Sequence, residues 1–203
     1  MELILASGSP RRLELLRQIG VEPRVVVSHS EEEKKAASPA ELVQHNALVK
    51  GRDVVQQVGD TVPVLAADTV VALDGCILGK PGSPEKAKTM LRQLSGRTHQ
   101  VLTGLAVFCR GKIWQHVDVT EVTFAALTDQ EIDRYVATGE PLDKAGAYGI
   151  QGRAALFIPS IRGSYSNVVG LPLAPLRTIF AELDGARYDT LPDTRNDTGG
   201  AAS

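Results

Sequence analysis

A short segment near the start of the chain, Ser7-Gly8-Ser9-Pro10-Arg11-Arg12, places two arginines in the first turn of a predicted helix. The free backbone N–H groups and the dipole at such a helix start favour an anion. Arg11 and Arg12 have the wrong charge to stabilise a helix N-terminus, so a bound polyphosphate would account for both. The alternative is a capped surface helix with two solvated arginines, because the segment does not have the pattern of a Walker loop.

Asp68 lies between two apolar runs, 62–67 and 70–73, that have the composition of strands. An aspartate at a strand end beside a cleft is a typical metal ligand or general base in α/β proteins. The alternative is an aspartate that only caps a turn. Burial between the two apolar runs would be costly for a carboxylate, which favours a position at a strand end.

Three further segments carry charges that could complete such a site. Lys80 lies in a Gly-Lys-Pro turn, and Lys50 lies on the polar side of the second predicted helix. The run Glu31-Glu32-Glu33-Lys34-Lys35 has the composition of a solvated charged loop. Its position after the second predicted strand would also allow it to present one carboxylate to a shared cleft.

Two glycine-rich segments have the composition of loops that close over a ligand. Residues 138–152 contain four glycines after Thr138, and Gln151 in this segment has an amide that could bind a base edge. Residues 163–172 form a second polar loop before a helix, and it could equally be a structural turn. The four histidines show no metal-binding spacing.

The overall composition excludes several classes of protein. The chain has 203 residues, of which 43% are hydrophobic, enough for one domain with a substantial core. The formal net charge of -2 gives no general attraction to nucleic acid or membrane, so neither partner is expected. Cys76 and Cys109 have no metal or redox spacing, and the first residues lack the pattern of a signal peptide. We therefore expect a cytoplasmic protein.

Apolar patterns and turn residues predict the elements that must position these side chains. Strands are predicted at 3–6, 24–28, 62–67, 70–73, 76–78, 101–108, 113–124 and 154–158. Helices are predicted after the N-caps Ser9, Ser38, Ser83 and Thr128, and a last helix spans 172–183. Alternating strands and helices followed by a long hairpin predict an α/β fold with a mixed sheet. Residues 1–183 are predicted to form a single domain, and residues 184–203 a disordered tail.

Taken together, five motifs resemble the Maf family of nucleoside triphosphate pyrophosphatases. They lie at 6–12, 67–71, 79–81, 143–152 and 163–172, and the resemblance covers the chain from Leu3 to about Leu183. The resemblance implies an elongated mixed β-sheet flanked by helices, with two lobes and a central cleft, similar to the inosine triphosphate pyrophosphatase (Maf/Ham1) fold. It also implies metal-dependent cleavage of a nucleoside triphosphate to the monophosphate and pyrophosphate, with Mg²⁺, Mn²⁺ or Co²⁺, and a homodimer.

The resemblance also implies roles for individual residues. Asp68 is the expected proton acceptor, Glu32 and Lys80 are further catalytic groups, and Asp68 and Glu32 are the expected metal ligands. The residues expected to bind substrate or set specificity are Ser7, Arg11, Arg12, Lys50, Thr69 and Gln151. The family often has Asp-Glu where this chain has Glu31-Glu32, which leaves open which glutamate enters the site.

The pairing of Asp68-Thr69 with Ile150-Gln151-Gly152 resembles the branch of the family that acts on dTTP and UTP, and CTP or modified pyrimidine nucleotides are further expected substrates. A house-cleaning role follows from that expectation. Two alternatives remain open: a nucleotide-binding regulator of cell division that acts through a protein partner, and a nucleotidyl transferase. The complete set of carboxylates favours hydrolysis, because a pure sensor does not need a general base.

Overall fold

A computed structural model describes residues 2–34 and 36–184 of the chain. The strands are β1 (Ile4–Leu5), β2 (Arg24–Val25), β3 (Val64–Leu73), β4 (Cys76–Leu78), β5 (Thr98–Cys109), β6 (Lys112–Thr123) and β7 (Ser160–Arg162). The helices are α1 (Pro10–Gln18), α2 (Pro39–Val58), α3 (Pro84–Leu94), α4 (Asp129–Val136), α5 (Tyr165–Val169) and α6 (Leu173–Asp184). Short 3₁₀ turns span Glu140–Asp143, Ala145–Ala147 and Arg153–Phe157. Of the predicted tail, residues 185–203 lie outside the described residues.

Capping residues begin the helices where the sequence predicts. The hydroxyl of Ser38 accepts a hydrogen bond from the backbone N–H of Glu41 at the start of α2. Thr128 and Glu131 form a complete capping box at α4, in which each side chain bonds the other residue's backbone. Ser9 is the N-cap of α1 by its backbone, but its side chain makes no capping bond. Its N–H instead donates to the hydroxyl of Ser7 at 3.2 Å.

The seven strands form one mixed sheet, as predicted, in the order β2-β1-β3-β5-β6-β7, with β4 added beside β3. β1 runs parallel to β2 and β3, and the remaining pairs are antiparallel. The long β3, β5 and β6 form the centre of the sheet. Helices pack on both of its faces, which confirms the predicted class.

One edge of β3 has a gap that determines where the functional residues meet. β5 pairs along nearly the whole of β3, whereas on the opposite edge β1 pairs with Val64 and Leu65 and β4 with Val71–Leu73. Between these two partners, no strand of the described part of the chain bonds this edge at residues 67–70. The loop after β1 and the loop after β4 therefore meet at the gap.

The apolar core divides along the long strands. At one end of β3 and β5, Leu65, Ala67 and Leu105 pack with α1 and α6, and α2 covers the opposite face. At the other end, Val71 and Val101 pack with α3, α4 and a group of aromatic rings. Residues 68 and 69 lie between these clusters. Within 2–34 and 36–184, no helix is both long and apolar enough to cross a membrane.

The predicted strands are wrong in two regions of the chain. Strands 62–67 and 70–73 are one continuous strand, because α2 supplies partners for the Asp68 carboxylate that would otherwise interrupt it. Residues 154–158 form a 3₁₀ turn, and the strand in this region is β7. A short apolar run does not distinguish a strand from a helical turn. β7 has only three residues, so its pattern is too short to detect.

Candidate active site

The gap in the sheet opens into a cleft of about 470 Å³, within the range of small-molecule sites. The loop after β1 forms one wall, and the loop after β4 and the segment 143–151 form the other. Every residue predicted for the site lines this cleft: Ser7, Arg11, Arg12, Glu32, Lys50, Asp68, Thr69, Lys80 and Gln151. The roles assigned to them remain predictions.

Asp68 and Thr69 reach the cleft from opposite faces of the sheet. Side chains alternate along a strand, so Asp68 points towards α2 while Thr69 points towards α1. Both reach the same space because the edge of β3 is uncovered here. Neighbouring residues can therefore take separate roles: Asp68 bonds Asn46 and Lys50 on α2, and Thr69 bonds Arg12 on α1.

The charged centre of the cleft consists of Glu32, Lys50 and Asp68. The ammonium of Lys50 on α2 lies 2.7 Å from Asp68 Oδ1 and 2.7 Å from Glu32 Oε1. The side chains of Lys50 and Asp68 are only 12% and 9% exposed, whereas that of Glu32 is 58% exposed. Of the three neighbouring glutamates, Glu32 is the one whose carboxylate lies in the cleft.

Partial burial opposes ionisation of Glu32, but the hydrogen bond and charge of Lys50 outweigh it. Lys80 and Arg12 add smaller contributions, and the net effect lowers the pKa of the Glu32 carboxyl. Glu32 therefore stays an anion at neutral pH. An ionised carboxylate is the form that can bind a cation or orient water.

Arg12 links three parts of the cleft. Its guanidinium donates to the carbonyl of Gly170 at 2.8 Å, to Ser7 Oγ at 2.9 Å and to Thr69 Oγ1 at 3.1 Å. Burial lowers the pKa of Arg12, and the charge of Asp68 opposes this effect. Since a guanidinium has five N–H donors, two remain for a substrate oxygen, among the contacts of the described residues. Arg12 thus supports the loop after β1 in addition to its predicted contact with substrate.

Arg11, Lys80 and Gln151 line the cleft from three different segments. Within the described part of the chain, none of the three side chains forms a hydrogen bond or an ion pair. Their polar groups are therefore available to a ligand, in contrast to the internally bonded Arg12.

Hydrogen bonds of Glu140 link the two ends of the segment 140–153, which contains Gln151. Its carboxylate accepts hydrogen bonds from the Tyr135 hydroxyl at 2.9 Å and from the Arg153 N–H at 3.1 Å. Gly152 lies against this carboxylate so closely that a Cβ atom would overlap it. A larger residue after Gln151 would have to displace this carboxylate from its position against residue 152.

An aromatic cluster lies beneath the segment and consists of His99, Phe124, Tyr135, Tyr148 and Phe157. His99 Nε2 and the Tyr148 hydroxyl share a hydrogen bond of 2.7 Å. Burial lowers the pKa of His99 to about 4 and raises the pKa of Tyr148. These groups are neutral at physiological pH, so the cluster acts as a rigid apolar support for the segment.

Some residues of the site were not predicted to act there. Asn46 donates to Asp68 Oδ2 at 3.1 Å, and Thr103 Oγ1 shares a hydrogen bond of 2.9 Å with Thr69 Oγ1. Asp143 and Lys144 also line the cleft. Asp143 and Lys144 lie in the motif 143–152, and Asn46 was visible as an amide within the apolar side of a predicted helix. The position of Thr103 depends on strand pairing, which its own sequence context does not reveal.

The carboxylates of the cleft fit a cation that arrives with a substrate. Within residues 2–34 and 36–184, no group of three or more His, Cys, Asp or Glu side chains is placed to hold a metal. Asp68 and Glu32 provide two carboxylates that already share Lys50. Mg²⁺ commonly binds one or two carboxylates and takes its other ligands from water and substrate phosphates. The same oxygen donors suit Mn²⁺.

Comparisons with solved structures support the fold. A HAM1 protein from Coxiella burnetii superimposes with a TM-score of 0.53 at 19% identity, covering 90% of this chain and 99% of that chain. The Staphylococcus aureus Ham1 protein gives a TM-score of 0.50 at 15% identity, covering 91% and 99%. These similarities confirm the predicted Ham1-like fold and, at such low identity, show the fold alone.

Sequence comparisons identify the family. The family model described as Maf-like protein matches residues 2–183. A dTTP/UTP pyrophosphatase of Bacillus cereus (strain B4264) is 50% identical over 184 residues, which cover 90% of this chain and 96% of the relative. A dTTP/UTP pyrophosphatase of Bacillus pumilus (strain SAFR-032) is 52% identical over 174 residues, covering 85% and 92%. The chain therefore belongs to the Maf family, as its five motifs indicated.

Proposed function

We propose that this protein is a nucleoside triphosphate pyrophosphatase that hydrolyses dTTP and UTP to the nucleoside monophosphate and pyrophosphate. The observation that carries the proposal is the charged centre, Glu32, Lys50 and Asp68, placed where Arg11, Lys80 and Gln151 converge. The names of the two Bacillus relatives support the choice of substrate.

Hydrolysis at the α-phosphorus requires a water that loses its proton as it attacks. Asp68 accepts this proton, while the bond from the α-phosphorus to the bridging oxygen breaks and pyrophosphate leaves. Lys50 holds Asp68 Oδ1 at 2.7 Å and orients the carboxylate for this role. Glu32, held by the same ammonium, is proposed to share in binding the cation and orienting the water.

The leaving pyrophosphate gains negative charge, which the cations around the cleft stabilise. Among the contacts of residues 2–34 and 36–184, the side chains of Lys80 and Arg11 form no hydrogen bond and Arg12 keeps two unused donors, so these three residues are proposed to hold the triphosphate. At an effective dielectric constant near 20, a pair of unit charges about 4 Å apart contributes roughly 4 kcal/mol before desolvation. Contacts that strengthen as charge moves to the leaving group lower the barrier of the reaction.

Asp68 and Glu32 would hold the divalent cation, Mg²⁺ or Mn²⁺ and, by the family resemblance, also Co²⁺. When bound with the triphosphate, this cation neutralises phosphate oxygens and makes water more acidic. Ser7 supports the phosphate-binding loop through its bond to Arg12.

Specificity for the base is proposed to come from Arg11, Thr69 and Gln151. The Gln151 amide offers both a donor and an acceptor to a pyrimidine edge. Thr69 acts by orienting Arg12, since its hydroxyl already bonds Arg12 and Thr103. CTP and modified pyrimidine nucleotides would fit the same recognition, which is the basis for a house-cleaning role. A cytoplasmic homodimer is part of the same proposal.

A substrate panel tests the proposal. Purified protein is incubated with dTTP, UTP, CTP and GTP in the presence of Mg²⁺ or Mn²⁺, and pyrophosphate and monophosphate are measured. We expect equal amounts of the two products, with dTTP and UTP turned over faster than GTP. Release of orthophosphate and diphosphate, or transfer of the nucleotide to a second substrate, would contradict the proposal.

A further inference from the structure

Asn46 is a buried amide in the middle of α2, with a relative exposure of 3%. Its neighbours on the same side of the helix, Leu42, Val43 and Ala47, are apolar and buried. A buried amide needs hydrogen-bond partners to offset the loss of water. Asn46 finds these partners in the backbone of Glu33 and the carboxylate of Asp68.

Both the oxygen and the nitrogen of the Asn46 side-chain amide form hydrogen bonds. Its Oδ1 accepts a hydrogen bond from the Glu33 N–H at 2.9 Å, and its Nδ2 donates to the Glu33 carbonyl at 3.0 Å. The second Nδ2 proton goes to Asp68 Oδ2 at 3.1 Å. Reversing the amide would oppose Nδ2 to the Glu33 N–H, so the two bonds to Glu33 determine its orientation. This orientation directs an N–H group at Asp68.

Both oxygens of Asp68 are therefore held. Lys50 holds Oδ1 at 2.7 Å, and Asn46 holds Oδ2 at 3.1 Å, so the carboxylate cannot rotate freely. The same amide fixes the backbone of Glu33, the residue after Glu32, whose carboxylate lies on Lys50. One side chain thus orients the proposed base and anchors the loop that carries the second carboxylate.

We propose that Asn46 is a positioning residue of the reaction, which sets the orientation of Asp68 for the attacking water. This inference rests on the proposed function, in which Asp68 accepts the proton. The chemistry favours an amide here. A carboxylate at this position would repel Asp68, and a second cation would compete for the lone pair that takes the proton. A neutral N–H donor orients the carboxylate and leaves Oδ2 a second lone pair.

The test replaces Asn46 with leucine, which has a similar shape and no hydrogen-bonding groups. Glu33 is exposed, so water can satisfy its backbone after the change, and we expect little loss of thermal stability. We expect kcat for dTTP hydrolysis with Mg²⁺ to fall about tenfold, as for the loss of one hydrogen bond to a charged group. KM should remain within about twofold, because Asn46 does not line the cleft as a substrate ligand.

Gln44→Leu is the matched control. Gln44 lies on the same helix and donates one hydrogen bond of 3.3 Å to the Leu105 carbonyl, without contact to the charged centre. This variant should keep the kcat and KM of the unmodified protein. Equal losses of kcat in the two variants would overturn the inference, because the effect would then belong to the packing of α2.

Asn46→Asp is the second variant, in case the leucine variant does not fold. It keeps the shape and the acceptor for the Glu33 N–H but removes both donors and faces Asp68 with a like charge. We expect a loss of kcat at least as large as that of the leucine variant. A kcat equal to that of the unmodified protein in either folded variant would overturn the inference.

The Asp68→Asn background separates this inference from the proposed function. If Asn46 acts through Asp68, adding Asn46→Leu to Asp68→Asn should cause no further loss of kcat. An independent further loss of about tenfold would overturn the inference alone. Full activity of Asp68→Asn by itself would overturn the proposed base, and the role of Asn46 with it.

Discussion

The charged centre and the aromatic cluster both bury titratable side chains, yet they treat charge in opposite ways. In the charged centre, Lys50 lies 2.7 Å from each of two carboxylates. Partial burial opposes ionisation of Glu32, but the hydrogen bond and charge of Lys50 lower its pKa overall. In the aromatic cluster, His99 has a relative exposure of 2% and no charged partner among the described residues, and burial lowers its pKa to about 4. Both regions lie along the same strands, β3 and β5. At Glu32 a neighbouring cation opposes the effect of burial on the pKa, whereas among the described residues no charged group opposes it at His99.

The difference matches the two tasks proposed for the cleft. Proton transfer and phosphate binding need ionised groups whose neighbours hold them in place. Support for the segment that carries Gln151 needs rigidity, which interlocking neutral rings provide. Single substitutions in each region test this difference.

Removing the charge of the proposed base should have the largest effect. Asp68→Asn keeps an oxygen for Lys50 but cannot accept the proton, so we expect kcat to fall by about 10³-fold with the fold retained. Pyrophosphate release and a thermal melt measure the two quantities. Asp129→Asn, an exposed aspartate paired with Arg92, is the control and should keep full activity. A kcat above a tenth of normal for Asp68→Asn would exclude its assigned role.

Removing the central cation should destabilise the protein. Lys50→Met leaves Asp68 and Glu32 without their shared partner, and we expect the free energy of unfolding to fall by about 3 kcal/mol. Urea denaturation measures this change. Lys88→Met removes a lysine from a more exposed pair with Asp133, so its effect should stay below about 1 kcal/mol. Equal effects of the two variants would mean that the charged centre is no more than a surface ion pair.

The aromatic cluster should make stability depend on pH. The pKa of His99 is lowered from 6.5 to about 4 in the folded protein, so folding favours the neutral ring. The stabilisation is therefore present above about pH 6.5 and is lost as the pH falls towards about 4. Between about pH 7 and pH 5 we expect a loss of about 2 kcal/mol.

His99→Gln, which cannot titrate, tests the source of this pH dependence. The free energy of unfolding, measured by urea denaturation across the pH range, should fall less steeply in this variant. An unchanged slope would show that other groups account for the loss of stability in acid.

Removing a hydrogen bond from a neutral hydroxyl to a carboxylate should have the smallest effect. Tyr135→Phe removes the hydrogen bond to Glu140, which keeps its bond from the Arg153 N–H, so we expect a loss of about 1 kcal/mol. Tyr165→Phe is the control, because Tyr165 is 50% exposed. Chemical denaturation compares the two. If Tyr135→Phe lowers the free energy of unfolding as much as Lys50→Met does, the charged centre and the aromatic cluster do not differ in the way proposed.

Much of the fold follows from local signals in the sequence. The capping residues Ser38, Ser83 and Thr128 begin helices as predicted, because each places a side-chain oxygen on a free backbone N–H. The Asp74-Gly75 turn and the hairpin near Gly111 also follow from turn chemistry, since both glycines have positive φ. The failures lie at Asp68, whose partners on α2 are distant in sequence, and at 154–158, where a short apolar run fits a strand or a helical turn equally well.

From the sequence alone, nine residues are predicted for the site, and all nine line one cleft. Seven of them lie in the specific motifs, whereas Glu32 and Lys50 lie outside those motifs, so the prediction from sequence was sharpest where a motif was present. The sequence did not determine how those residues work together. Three features depend on the tertiary structure. Arg12 forms internal hydrogen bonds, whereas the side chain of Arg11 forms none within the described residues. Glu32 is the glutamate that lies in the cleft, and Asn46 holds Asp68. The physical reason is the gap in the edge of β3. Strand pairing creates this gap, and it lets side chains from both faces of the sheet meet residues far away in the chain.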